Sequence, residues 1–106
     1  MVEKGFVVRP WLGIVGLSIT SELARYYNLP LEQGVLVTKV AEESPAERAG
    51  IVGGDLIMRI DNAPIYSIED LLGEIHNRKI GDKVKISVYR RGREQNLEAP
   101  LSKHDS

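Results

Sequence analysis

Fourteen residues in the middle of the chain, SPAERAGIVGGDLI from Ser44 to Ile57, set the scale of everything around them. Ser44 suits a helix N-cap, and Pro45 suits the first helical position, where a missing N–H costs nothing. Glu47 supplies the return half of a capping box, and Gly50 the left-handed residue that stops a helix. A helix punctuated this closely has room for one or two turns. Gly53-Gly54-Asp55 then reads as a turn with Asp55 accepting local backbone bonds, and LIMRI alternates as a strand. A chain that starts, stops and reverses within so short a stretch is built from short elements.

The flanking sequence has the same grain. Residues 6–18 are rich in Val, Ile and Leu and are broken by Pro10, Gly13 and Gly16. They read as an extended segment with glycines where something approaches the backbone, and a buried strand, a phosphate loop and an open strand edge all fit. Thr20 or Ser21 can cap a short helix over 22–27, with Leu23, Tyr26 and Tyr27 at i, i+3, i+4, ended by Asn28-Leu29-Pro30. Gly34 to Val40 is β-branched and alternates as a strand. After LIMRI, Asp61-Asn62 turns the chain into a short return through Ala63-Pro64-Ile65.

Ser67-Ile68-Glu69-Asp70 is a capping box in acidic form. It opens a helix whose Ile68, Leu71, Leu72 and Ile75 form an i, i+3, i+4, i+7 stripe, a pattern that serves equally as core or as the wall of a groove. KVKISVYR and REQNLEAPL flank Arg91-Gly92 as a closing hairpin, and residues 102–106 read as a polar tail. Strands predominate, two or three short helices lie between them, and there is no regular β-α-β alternation. That combination predicts a small α+β, mainly β domain with a mostly antiparallel, partly open barrel or sandwich.

At 106 residues the chain is sized for one core. A formal net charge of −1, with 14 basic and 15 acidic residues, one Trp and one Phe, argues against nucleic acid as a partner. The absence of cysteine removes disulfides, thiolate metal sites and cysteine nucleophiles, and leaves the compartment open. No apolar stretch approaches the roughly 20 residues of a membrane span, so direct membrane insertion is not expected, and the first residues do not have the form of a signal peptide.

Catalytic chemistry finds little to work with. His76 and His104 are the only histidines, and neither has the local setting of an acid–base or triad histidine. His76 reads as a solvated residue at a helix end, and His104 as part of the tail. No metal is expected: two distant histidines make no zinc site, and Asp55, Asp61 and Asp70 do not have calcium-loop spacing. Gly13-Ile14-Val15-Gly16 lacks the third glycine and the helix of a nucleotide fingerprint, so no cofactor is expected either. Arg90-Arg91-Gly92-Arg93 could touch phosphate or an acidic partner, or simply blunt a sheet end.

In order, Trp11-Leu12-Gly13-Ile14, the Ser44–Ile51 string, Gly54-Asp55-Leu56-Ile57 and the helix from Ser67 resemble a PDZ domain. More narrowly they resemble the PDZ domains that follow the protease domain of HtrA/Deg-type serine proteases. The resemblance spans residues 9–101, which leaves 1–8 as a residual linker and 102–106 as a tail. It implies a circularly permuted PDZ fold with the carboxylate-binding strand first.

It further implies that the amides of Leu12, Gly13 and Ile14 receive a peptide's C-terminal carboxylate, with Gly13 present because a side chain would block the approach. The strand from Ile14, including Val15 and Gly16, would pair with the peptide. Ile68, Leu72 and Ile75, with Trp11, would line the groove, while Leu71 turns to the core. Arg9 is a candidate charge beside the carboxylate. PDZ domains selecting Ser or Thr two residues before the end usually begin this helix with His; Ile68 here predicts a hydrophobic residue instead.

The resemblance therefore implies a non-catalytic module binding hydrophobic C-terminal or unfolded segments, coupled to a parent serine protease domain in a periplasmic or membrane-anchored extracytoplasmic protein. An assembly module filled by a segment of its own parent, and a PDZ domain of a site-2-type membrane protease, are the alternatives.

Overall fold

The computed structural model describes residues 10–103. In chain order the elements are β1 (Pro10–Trp11), β2 (Ile14–Ser18), α1 (Ser21–Tyr27), β3 (Val35–Val40), α2 (Pro45–Ala49), β4 (Leu56–Ile60), β5 (Ala63–Pro64), α3 (Ile68–His76), β6 (Lys83–Arg90), β7 (Arg93–Pro100) and β8 (Ser102–Lys103). The main sheet is antiparallel and open, with order β2-β3-β4-β6-β7 and β5 attached to β4. Pro10 and Trp11 pair separately with Lys103 and Ser102. Ser102 and Lys103, read from sequence as the start of a polar tail, thus form a strand against the opposite end of the chain, and the Trp11 indole N–H donates to Ser102 Oγ at 3.2 Å.

The caps form where the sequence places them. Thr20, Ser44 and Ser67 each accept from the backbone N–H three residues on. Both acidic return groups reach one residue further back than a capping box requires: Glu47 accepts from the Glu43 N–H and Asp70 from the Tyr66 N–H. Asn28 and Gly50 end their helices in the left-handed region, at φ 55° and 94°. On α1 it is Ala24 that is buried. Tyr26 and Tyr27 stand exposed and pack edge to face on each other at 4.8 Å.

Both faces of the sheet are covered because successive strand residues point to opposite sides. Ile57 joins the larger cluster with Val35, Val37, Leu71, Ile75 and Val88, whereas Leu56 joins Ile19 and Ala24 beneath α1. Ile57 and Ile60 share the larger cluster although they are three apart. The register shift between Ile57 and Arg59 absorbs the odd residue. This arrangement anchors α3 through Leu71 and Ile75 beside β1 and β2, and leaves β2 as one edge of the sheet.

Candidate functional site

The segment between β1 and β2 is held from one side only. The Leu12 carbonyl accepts from the Ala46 N–H at 2.9 Å, and the Gly13 carbonyl accepts from the Ala41 N–H at 2.8 Å. Among the described residues, no group accepts from the Leu12 or Gly13 amide. Gly13 has φ 94°, and a Cβ there would lie 2.2 Å from Ser44 Cβ. The requirement for glycine comes from the protein's own packing: the space a side chain needs is filled by the α2 cap. Ser44 is itself buried and donates to the Ala41 carbonyl at 2.7 Å.

The ladder geometry sets the direction of the next amides. Ile14 lies opposite Val40, and the Ala41-to-Gly13 bond brackets that pair as a non-hydrogen-bonded one. The Ile14 N–H and C=O therefore point away from β3, to the open edge. The Ile19 N–H donates to the Gly34 carbonyl beyond the Ser18–Val35 pair. Ser18 and, two residues before it, Gly16 are thereby turned outward in the same way. Val15 exposes its side chain on the face opposite Ile14. A Cβ on Gly16 would meet Val35 Cγ1 at 2.6 Å and the Leu36 carbonyl oxygen at 3.1 Å, so this glycine allows β3 to come close.

Helix α3 forms the facing wall. The Ser18 hydroxyl accepts from the Ile68 N–H at 2.8 Å, which ties the start of α3 to the end of β2. A groove runs from there toward the Leu12–Ile14 segment and ends in a pocket of about 100 Å³. That pocket is lined by Trp11, Leu12, Gly13, Ile14, Leu71, Leu72, Ile75 and His76. Leu72 is 47% exposed, whereas Ile75 is buried in the main core and contributes only part of its surface. Leu71, expected to serve the core alone, does both: it is buried and reaches the pocket floor.

Val15, Gly16 and Ile68 lie outside this end pocket, along the strand and at the far end of the helix; Ile68 Cδ1 stands 3.6 Å from the Cβ position of Gly16. Arg9 lies outside the described residues. His76, read from sequence as a plain helix-end residue, is exposed and also lines the pocket. The available signal was its spacing: His76 follows Leu72 by four residues and so shares its face.

What this arrangement can do is receive an extended strand with one anionic end. Among the described residues, the outward backbone groups of Ile14, Gly16 and Ser18 are an unpaired ladder, the Leu12 and Gly13 amides are free donors above it, and the pocket beneath them is apolar apart from His76. Among the described residues, no group of three or more His, Cys, Asp or Glu could hold a metal. The perturbed acid lies elsewhere: the Lys85 N–H and the Arg78 guanidinium hold the Asp61 carboxyl below the usual carboxylate value.

The PDZ domain family model matches residues 13–101. The chain is 35% identical over 101 residues to the periplasmic serine endoprotease DegP of Escherichia coli (strain K12), covering 95% of this chain and 21% of that protein. It is 36% identical over 101 residues to a probable serine protease do-like of Buchnera aphidicola subsp. Acyrthosiphon pisum (strain APS), with 95% and 21% covered. The chain thus spans about a fifth of the length of these curated relatives. Among solved structures, the HtrA-type protease AlgW with a decapeptide aligns with a TM-score of 0.85 at 31% identity, over 94% of this chain and 31% of that one. The HtrA3 PDZ domain bound to a phage-derived ligand (FGRWV) shares the fold, with a TM-score of 0.83 at 20% identity over 92% of this chain and 90% of that one.

Proposed function

The chain belongs to the PDZ domain family, in the form found in HtrA/Deg-type serine proteases, and from that premise we propose that it captures the C-terminal ends of hydrophobic polypeptides. The 106 residues make up a PDZ domain and not the protease domain of such relatives. The observation that carries the reading is the conjunction at one place of free amides, an outward-facing strand edge and an apolar pocket. The peptide adds as a strand along Ile14–Ser18, its carboxylate takes the Leu12, Gly13 and Ile14 amides, and its last side chain enters the pocket against Leu72 and Ile75. Ile68 favours a hydrophobic residue two positions before the end. The structure of AlgW with a decapeptide supports the choice of a peptide as occupant.

In a parent protein of this type the domain selects substrates or regulates a serine protease domain, and the periplasmic DegP relatives support an extracytoplasmic setting for that role. Among the described residues, no helix is long and apolar enough to cross a membrane. The test uses Trp11, which lines the pocket, as a fluorescence reporter. A short peptide ending in Val or Phe is titrated as the free acid and as the amide. The expected result is roughly micromolar binding by the acid and at least tenfold weaker binding by the amide. Equal binding would remove end recognition from the reading.

A further inference from the structure

The pocket beside the Leu12–Ile14 segment has a histidine in its lining. His76 is the last residue of α3 and one of the eight residues lining the pocket below the Leu12–Ile14 amides. Among those eight it is the only one with a side chain that changes charge near neutral pH. Resting on the peptide-binding reading above, we propose that His76 contributes to carboxylate recognition: its imidazolium complements the peptide's terminal carboxylate, and ligand binding is coupled to protonation of this side chain.

Three features support the assignment. Position comes first: His76 lines the same pocket as the three residues whose amides would receive the carboxylate, which puts this residue beside an anion held there. Second, the ring sits in the last turn of a helix, where the carbonyl ends favour a cation. Third, competition is weak. Among the described residues, the strands that pack most closely on α3 are β1 and β2, and neither contains an ionisable residue.

On α3 itself, Glu69, Asp70 and Glu74 are the acids. Asp70 accepts from the Tyr66 N–H, and Glu74 pairs with Arg78. Arg78 also binds Asp61, and Lys79 follows in the next loop. Because His76 is exposed, water screens the interaction, and the effect is that of a surface charge pair rather than a buried one.

The experiment compares peptide affinity at pH 5.5 and pH 8 for the free acid and the amide, in the parent sequence, in His76→Gln and in His76→Lys. The free acid should bind roughly fivefold more tightly at the lower pH, and the amide should show no such change. His76→Gln should hold the acid at its weaker, pH-independent affinity, while His76→Lys should keep the tighter affinity at both pH values. Thermal melts check that each variant is folded, which an exposed position favours. A pH dependence that survives His76→Gln, or that the amide shares, would overturn the assignment. Loss of the distinction between acid and amide at every pH would instead bring down the end-recognition reading itself.

Discussion

Two glycine-bearing corners of this domain look alike in sequence and differ in how their polar groups are satisfied. At Gly53-Gly54-Asp55 the buried carboxylate is fully engaged. Asp55 is 1% exposed, accepts from the Val52 N–H at 3.0 Å, and takes two bonds from the Arg90 guanidinium at 2.7 and 2.6 Å. The same guanidinium donates to the Gly50 carbonyl at 2.8 Å. Hydrogen bonding to Asp55 raises the Arg90 pKa. At Leu12-Gly13-Ile14, by contrast, the carbonyls of Leu12 and Gly13 are bonded inward while the amides face outward. A corner whose buried carboxylate is fully partnered holds the fold together. One that keeps its donors on an edge is free to bind.

The sharpest way to break the closed corner is Asp55→Ala, which strands Arg90 and leaves the Val52 N–H unpartnered. We expect a loss of about 3 kcal/mol in stability by chemical denaturation, with peptide affinity of the folded protein unchanged. A parallel fall in affinity would mean that the two corners are coupled. Gly13→Ala attacks the open corner through its backbone: the left-handed φ and the contact with Ser44 together should cost about 2 kcal/mol of stability and abolish carboxylate discrimination.

Leu72→Asp separates binding from folding. Its side chain is half exposed, so stability should move by less than about 0.5 kcal/mol, while affinity falls at least tenfold as a charge enters the apolar pocket. Undiminished binding would take the groove away from α3.

The smallest effect is Asp61→Asn. Its carboxyl is held below the usual value, first by the Lys85 N–H and then by Arg78. The folded state therefore binds this proton less tightly than the unfolded chain does. Its contribution is fully present above the unfolded carboxylate value near 4 and is lost as pH falls through the folded one. The variant should lose about 0.5 kcal/mol at pH 7 and show a flatter acid limb in its stability profile, measured by thermal melts across pH 2–7. A larger loss at pH 2 than at pH 7 would contradict the sign.

The local grammar was legible in the sequence, and the long-range closures were not. Ser44, Ser67 and Gly50 announce their helix ends because a cap is a contact between residues three or four apart. The alternation at 35–40 and 56–60 is likewise local. Asp55 was readable as a turn residue, but its partner Arg90 lies 35 positions away on β6, where it looked like part of a charged hairpin tip. The pairing of Ser102 with Trp11 spans 91 positions and gives no sign in a polar tail.

On α3 the stripe was correctly helical, yet periodicity alone does not divide its faces. Ile75 went mostly to the core, Leu72 to the groove, and Leu71 to both. The tyrosines of α1 mislead in the opposite direction: their spacing suits burial, but the chain turns Ala24 inward and leaves them in solvent. For Gly13, the need for glycine was legible and its immediate cause was not, since Ser44 lies 31 residues on and only the fold brings its side chain into the space.

The contrast between the two corners is tested most directly by following backbone amide resonances of the folded domain as a free-acid hydrophobic peptide is added. The account predicts large, saturable shifts at Leu12, Gly13, Ile14, Gly16 and Ser18, with Val52, Gly53 and Asp55 still. Shifts centred on the Asp55–Arg90 corner, or a still Leu12–Ile14 segment under saturating peptide, would contradict it.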